Sequence, residues 1–190
     1  MRDFLQFLIV AVVVIFLIYI SRQKKALKMK YQINRDIRTN QILSIPDSTK
    51  KIIALHDYVF NFVQNKGVTN LSDTEKVIFC VEELEKEINN GGFNQWFFNS
   101  SADYWYETIT ALEKIEADNT SDLVKQALTV FPNSEPPKDA VSRQKLVNNL
   151  SDKQNDLLNS LDQQFYKYED NISALLMHFV EQHKEDIKSD

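Results

Sequence analysis

Two of the three glycines in this chain stand side by side, within Glu87-Ile88-Asn89-Asn90-Gly91-Gly92-Phe93-Asn94-Gln95-Trp96-Phe97-Phe98-Asn99. A Gly-Gly pair between two helical patterns is a place where the backbone turns with no Cβ in the way. Seven of the 21 Phe, Tyr and Trp residues, both tryptophans among them, fall between Phe93 and Tyr106. Side chains of that size anchor a core. Gly91, Gly92, Phe93 and Trp96 are therefore the expected structural turn. With so few glycines and prolines elsewhere, a helical reading beats a β-sandwich, which needs frequent turn residues. The expected fold is all-α, a single helical domain over residues 50–190, behind one N-terminal transmembrane helix.

The helical domain reads from its punctuation. Pro46-Asp47-Ser48 starts a helix with Ile52, Leu55, Val59 and Phe62 on one face, and Gly67 ends it. Ser72-Asp73-Thr74-Glu75 fits a capping box. The helix it opens places Val77, Val81, Leu84 and Ile88 inward and ends at about Asn89. A short helix over Phe93–Phe98 follows, then one from Ala102 to about Ala117 and one capped by Thr120 or Ser121. Pro132, Pro136 and Pro137 mark a loop, and Ser142 to Leu150 reads as a short helix. Ser151-Asp152-Lys153-Gln154 is a second capping box. The last segment is one long helix or two, bent near Glu169-Asp170-Asn171.

Charge divides the chain. Residues 1–38 hold eight Lys and Arg against two acids, although the whole chain carries a net charge of -5. Phe4 to Ile20 is an uncharged run of 17 residues, about 25 Å as a helix against a hydrocarbon core of about 30 Å. Residues 1–21 are accordingly the expected anchor, with residues 4–20 in the membrane, and residues 22–49 a basic juxtamembrane linker. A cleaved signal peptide fits less well, since Ser21-Arg22-Gln23-Lys24-Lys25 is a poor cleavage context. Only Arg2 precedes the run, whereas Arg22, Lys24, Lys25, Lys28 and Lys30 follow it. The positive-inside rule then gives a single-pass protein of the cell membrane with its C-terminal domain in the cytoplasm. A lone cysteine, Cys80, forms no internal disulfide and sits among apolar neighbours, as a core residue would.

A search for chemistry finds little. His178 and His183 are not on one helix face, and His56 is distant, so no zinc or di-iron spacing exists. Gly91-Gly92 lacks the Lys-Ser/Thr of a phosphate loop. No cofactor or metal is expected, and no catalytic residue is named. The one candidate ligand or interaction surface is Glu82, Glu83 and Glu87 with Asn89, Asn90 and Gln95. The plainer reading is that these amides satisfy backbone groups where a helix ends. Residues 72–118 hold eleven acids against Lys76, Lys86 and Lys114. Such a field repels nucleic acid and attracts basic partners.

The run from Glu83 to Ser101, with its Asn-Asn-Gly-Gly-Phe turn followed by Gln95, two aromatics and Asn99, resembles the signature of the DMP-nineteen DNA-mimic protein family. The similarity continues through Ala111-Leu112, Ala127-Leu128, Phe131-Pro132 and Leu161-Asp162…Phe165-Tyr166, over roughly residues 50–182. The resemblance implies an all-α domain, often bacterial, with a homodimer among its forms. It also implies that acidic side chains stand in for DNA phosphates before a DNA-binding protein. The expected function is a non-enzymatic, membrane-anchored interaction domain with an acidic surface. It binds a basic protein and no nucleic acid directly. The alternatives are an immunity or antitoxin-like protein, and a small-ligand or enzymatic site at the Gly-Gly turn.

Overall fold

The computed structural model describes residues 2–187, and side chains at 13–30, 33 and 37–187. Among them the secondary structure is helical throughout. The α-helices run α1 (Arg2–Leu43), α2 (Ser48–Lys66), α3 (Asp73–Phe98), α4 (Trp105–Lys114), α5 (Asp118–Leu128), α6 (Ala140–Val147), α7 (Asp152–Phe165) and α8 (Ile172–His183). The chain divides into two compact units between residues 41 and 42.

The first unit is the bulk of α1, which continues without a break through residues 22–43 of the segment read as a linker, before a turn leads into α2 at Ser48. Val13 to Tyr19 are exposed on it, as are Leu27, Met29, Ile33 and Ile37. The earlier part of the apolar run, residues 4–12, lies outside the described side chains. Among the described residues no helix is long and apolar enough to cross a membrane.

The second unit is a bundle centred on α3, which packs against α2, α4, α6, α7 and α8. Its start is fixed by the expected capping box: Glu75 N–H donates to Ser72 Oγ at 3.2 Å, and Ser72 N–H donates to Glu75 Oε2 at 2.8 Å. Asp47 caps α2 through Lys50 N–H at 2.9 Å. Ser151 opens α7 by donating from its N–H and hydroxyl to Gln154 Oε1. Phe93, Trp96 and Phe97 are fully buried at the centre. Phe97 meets Phe131 edge-on at 4.8 Å, and Phe93 meets Phe165 likewise at 6.5 Å. Cys80 is buried in the same core, its thiol pushed up to about 12 by burial, so it is an apolar filler rather than a nucleophile.

The expected break at the glycines and the short helix over Phe93–Phe98 are both present: Gly91 and Gly92 leave helical geometry, and α3 is two helices joined across that kink. Three helix starts differ from the sequence expectation. A 3-10 segment, Ser100–Tyr104, comes before α4, which begins at Trp105 rather than Ala102. α5 begins at Asp118, ahead of the expected caps Thr120 and Ser121, and α6 begins at Ala140, capped by Asp139, rather than at Ser142. The last segment is two helices, α7 and α8, one of the two forms the sequence left open, parted where Tyr168 takes a φ of 49°.

Candidate functional site

The break in α3 organises the candidate site. Gly91 leaves helical geometry at φ −170°, ψ 25°, and Gly92 follows in the left-handed region at φ 72°. Both positions also need glycine for space. A Cβ on Gly92 would strike the Asp162 carboxylate of α7, and one on Gly91 would strike the Gln95 carboxamide. Asp162 approaches that closely because its Oδ1 accepts the Phe93 N–H at 2.8 Å, a donor the kink removes from the helical ladder. Burial raises the Asp162 carboxyl above its usual range, and the Phe93 bond opposes that rise.

Glu87 locks the kink from inside. Its side chain is buried, and Oε2 accepts from Gln95 Nε2 and from Asn99 Nδ2, each at 2.7 Å. One carboxylate thus ties the helix before the break to two residues after it. The end of α3 is closed by Arg143 of α6, which is fully buried. Its guanidinium donates from Nε to Phe97 O at 2.8 Å, from Nη2 to Asn99 O at 3.1 Å and from Nη1 to Pro137 O at 2.8 Å. Asp103 supplies the counter-charge at 2.6 Å. Gln144 adds a bond to Phe98 O at 3.0 Å. These groups satisfy the carbonyls that a helix leaves unpaired at its C-terminus.

The other expected site residues scatter. Glu83 is buried beneath α2, where Oε1 meets His56 Nε2 at 2.9 Å and Lys86 Nζ at 2.6 Å. Burial alone would raise its carboxyl, but those two partners outweigh it and hold the group below the usual range. Lys86 also lies 5.2 Å from the centre of the Phe60 ring. Asn89 donates to the Tyr168 hydroxyl at 2.6 Å, which in turn donates to Glu85 at 3.0 Å. Glu82 has a pKa of about 7, raised by burial and then by neighbouring Glu85. Asn90 is exposed.

Of the six expected residues, the structure therefore joins Glu87 to Gln95, and takes Glu83 and Asn89 to separate partners. They do not converge on one cleft. An open groove nearby is lined by Asn94, Gln95, Phe98, Asn99, Val147 and Asn148. Among the described residues no group of three or more His, Cys, Asp and Glu side chains could hold a metal ion.

Sequence reasoning missed Asp162, Arg143, His56 and Tyr168 because each acts across a long separation. Asp162 alone left a trace, as a carboxylate on the apolar stripe of Leu158, Leu161 and Phe165. Burial also redistributes the acidic field. Glu75, Glu83 and Glu87 turn inward, whereas Asp73, Glu107, Glu113, Glu116, Asp118 and Asp122 are exposed about the start of α3, α4 and the start of α5. Lys125 bridges Glu113 at 2.8 Å and Asp122 at 3.8 Å.

No curated protein and no solved structure matches the chain. The family model described as DMP19-like protein matches residues 69–183, from just before α3 to the end of α8. That span holds the kink, its Glu87 and Asp162 ties and the Arg143 closure, and on it the chain belongs to the DMP19-like protein family.

Proposed function

We propose that this protein is a non-enzymatic interaction domain whose exposed carboxylates take the place of DNA phosphates before a basic, DNA-binding protein. The observation that carries the reading is the outward acidic set on α4, the turn after it and the start of α5, above all Glu107, Glu116 and Asp118. The kink residues serve the fold in this reading: Glu87, Asn89 and Gln95 spend their side chains on one another and on Tyr168. The family description supports a DNA-mimic role only in general terms, and the charge set supplies the specific surface.

In the same proposal α1 holds the domain at the inner face of a membrane. Support comes from the uncharged run Phe4–Ile20, from the exposure of Val13 to Tyr19 on a continuous helix, and from the basic residues that follow. Tethering would keep a captured regulator away from its DNA.

Capture of partners by the full chain in mild detergent, at about 50 and about 300 mM salt, tests the reading. Phosphate-like contacts weaken steeply over such a span. A DNA-binding protein recovered only at the lower salt, and lost from a Glu107→Gln, Glu116→Gln, Asp118→Asn variant, is the expected result. A partner that survives both salts and the triple variant would point to a different, more apolar interface and overturn the mimic.

A further inference from the structure

We propose that Asn90-Gly91 is a site of spontaneous deamidation, a built-in modification of the family turn. It is the one Asn-Gly peptide in the chain. The attacking group in this chemistry is the backbone nitrogen of the following residue, and glycine leaves that nitrogen unshielded and free to rotate. Asn90 and Gly91 are both exposed. The two asparagines before the glycine are held differently: Asn89 is fixed to Tyr168, whereas Asn90 has no side-chain partner among the described residues. The rotation of Asn90 that brings its Cγ to the Gly91 nitrogen would unwind an intact helix beyond it. Here the helix already breaks at Gly91 and Gly92, so the opening stays local.

The step balances without a co-reactant other than water. The Gly91 nitrogen bonds to Asn90 Cγ, the Cγ–Nδ2 bond breaks, and Nδ2 leaves as ammonia with the proton that the Gly91 nitrogen gave up. Water then opens the five-membered imide. Cleavage at Cγ leaves aspartate at 90. Cleavage at the main-chain carbonyl leaves isoaspartate, with one extra atom in the backbone. Both products add a carboxylate one turn beyond Glu87. The longer backbone of isoaspartate also lies three residues before the Phe93 N–H bond to Asp162, and so disturbs the kink.

The test ages the full chain in mild detergent at physiological temperature and mildly alkaline pH. The tryptic peptide from Glu87 to Lys114 is followed by fragment mass spectrometry. The exposed Asn148 and Asn159 serve as internal comparators. The expected result is a gain of one dalton placed at Asn90, about tenfold faster than at either comparator (about 1.4 kcal/mol in barrier). Isoaspartate in the product should be resolved by its methyl-accepting carboxyl, and Asn90→Gln should abolish the gain. Conversion no faster than at the comparators would overturn the proposal, as would rapid conversion seen only in a urea-unfolded chain.

Discussion

At the scale of single residues, the family turn is explained by what sits on its glycines. Gly92 is both left-handed and in contact with Asp162, so alanine there meets a strained φ and a carboxylate together. Gly92→Ala should lower stability by more than about 1 kcal/mol, as alanine does at a positive φ. Chemical denaturation checks this, and an unchanged midpoint would mean that α7 moves away at little cost. Glu82 makes a second prediction. Its folded pKa of about 7 lies above the ordinary carboxylate value of 4.5, so the folded chain binds the proton more tightly than the unfolded chain. Its contribution is therefore fully present below the unfolded value and is lost as pH rises from about 4.5 to about 7. Glu83, held below its usual range by His56 and Lys86, has the opposite sign, and its contribution is lost on acidification. Glu82→Gln should flatten the loss between those limits and stabilise the domain at pH 8, on the order of 1–3 kcal/mol. Stability measured from pH 4 to pH 8 decides it. A slope equal to wild type would remove Glu82 as its source.

At the scale of elements, what was legible was local. The Ser72 and Ser151 boxes, Asp47 and Gly67 act through neighbours within four residues, so sequence spacing alone exposes them. The apolar period of α3 placed Val77, Val81, Leu84 and Ile88 in the core, where they lie. The turn was also legible, as a Gly-Gly break before buried aromatics. What it does was not, because its partners Asp162 and Arg143 come from α7 and α6. A capping motif is one stretch of chain, but a carboxylate reaching across 69 residues leaves only a polar residue in an apolar stripe. The burial of Glu83 and Glu87 was hidden for the same reason. Glu83 and Glu87 look like solvated helix positions until α2 and the far side of the kink cover them. Arg143 allows the element-level account to be tested. Methionine there keeps much of the volume but removes the donors to Phe97, Asn99 and Pro137. Arg143→Met should cost on the order of 3 kcal/mol, since several buried carbonyls lose their partner at once. A loss below 1 kcal/mol would mean that Gln144 and solvent close the end of α3 unaided.

For the whole molecule, the division between residues 41 and 42 separates two kinds of surface. Among the described residues, every buried apolar side chain of the core lies from Ile52 to Ile187, with Ile42 and Leu43 packed at its edge. The first unit contributes exposed apolar and basic side chains instead. A chain starting at residue 42 therefore retains the whole core and every tie at the kink, and should melt in one cooperative transition within a few degrees of the full chain in detergent. Thermal circular dichroism of the two proteins tests that separation. The same pair tests the tether. In fractionated cells the full chain should stay with membranes through alkaline and high-salt washes, and residues 42–190 should not. These outcomes are independent, because burial in the core fixes the first and the run Phe4–Ile20 fixes the second. A full chain released by alkaline wash would reduce α1 to a peripheral basic helix, held by charge rather than by hydrocarbon, and its release would then follow salt. A destabilised shorter chain would instead show that α1 supports the domain, and the boundary at residue 41 would not be a folding boundary.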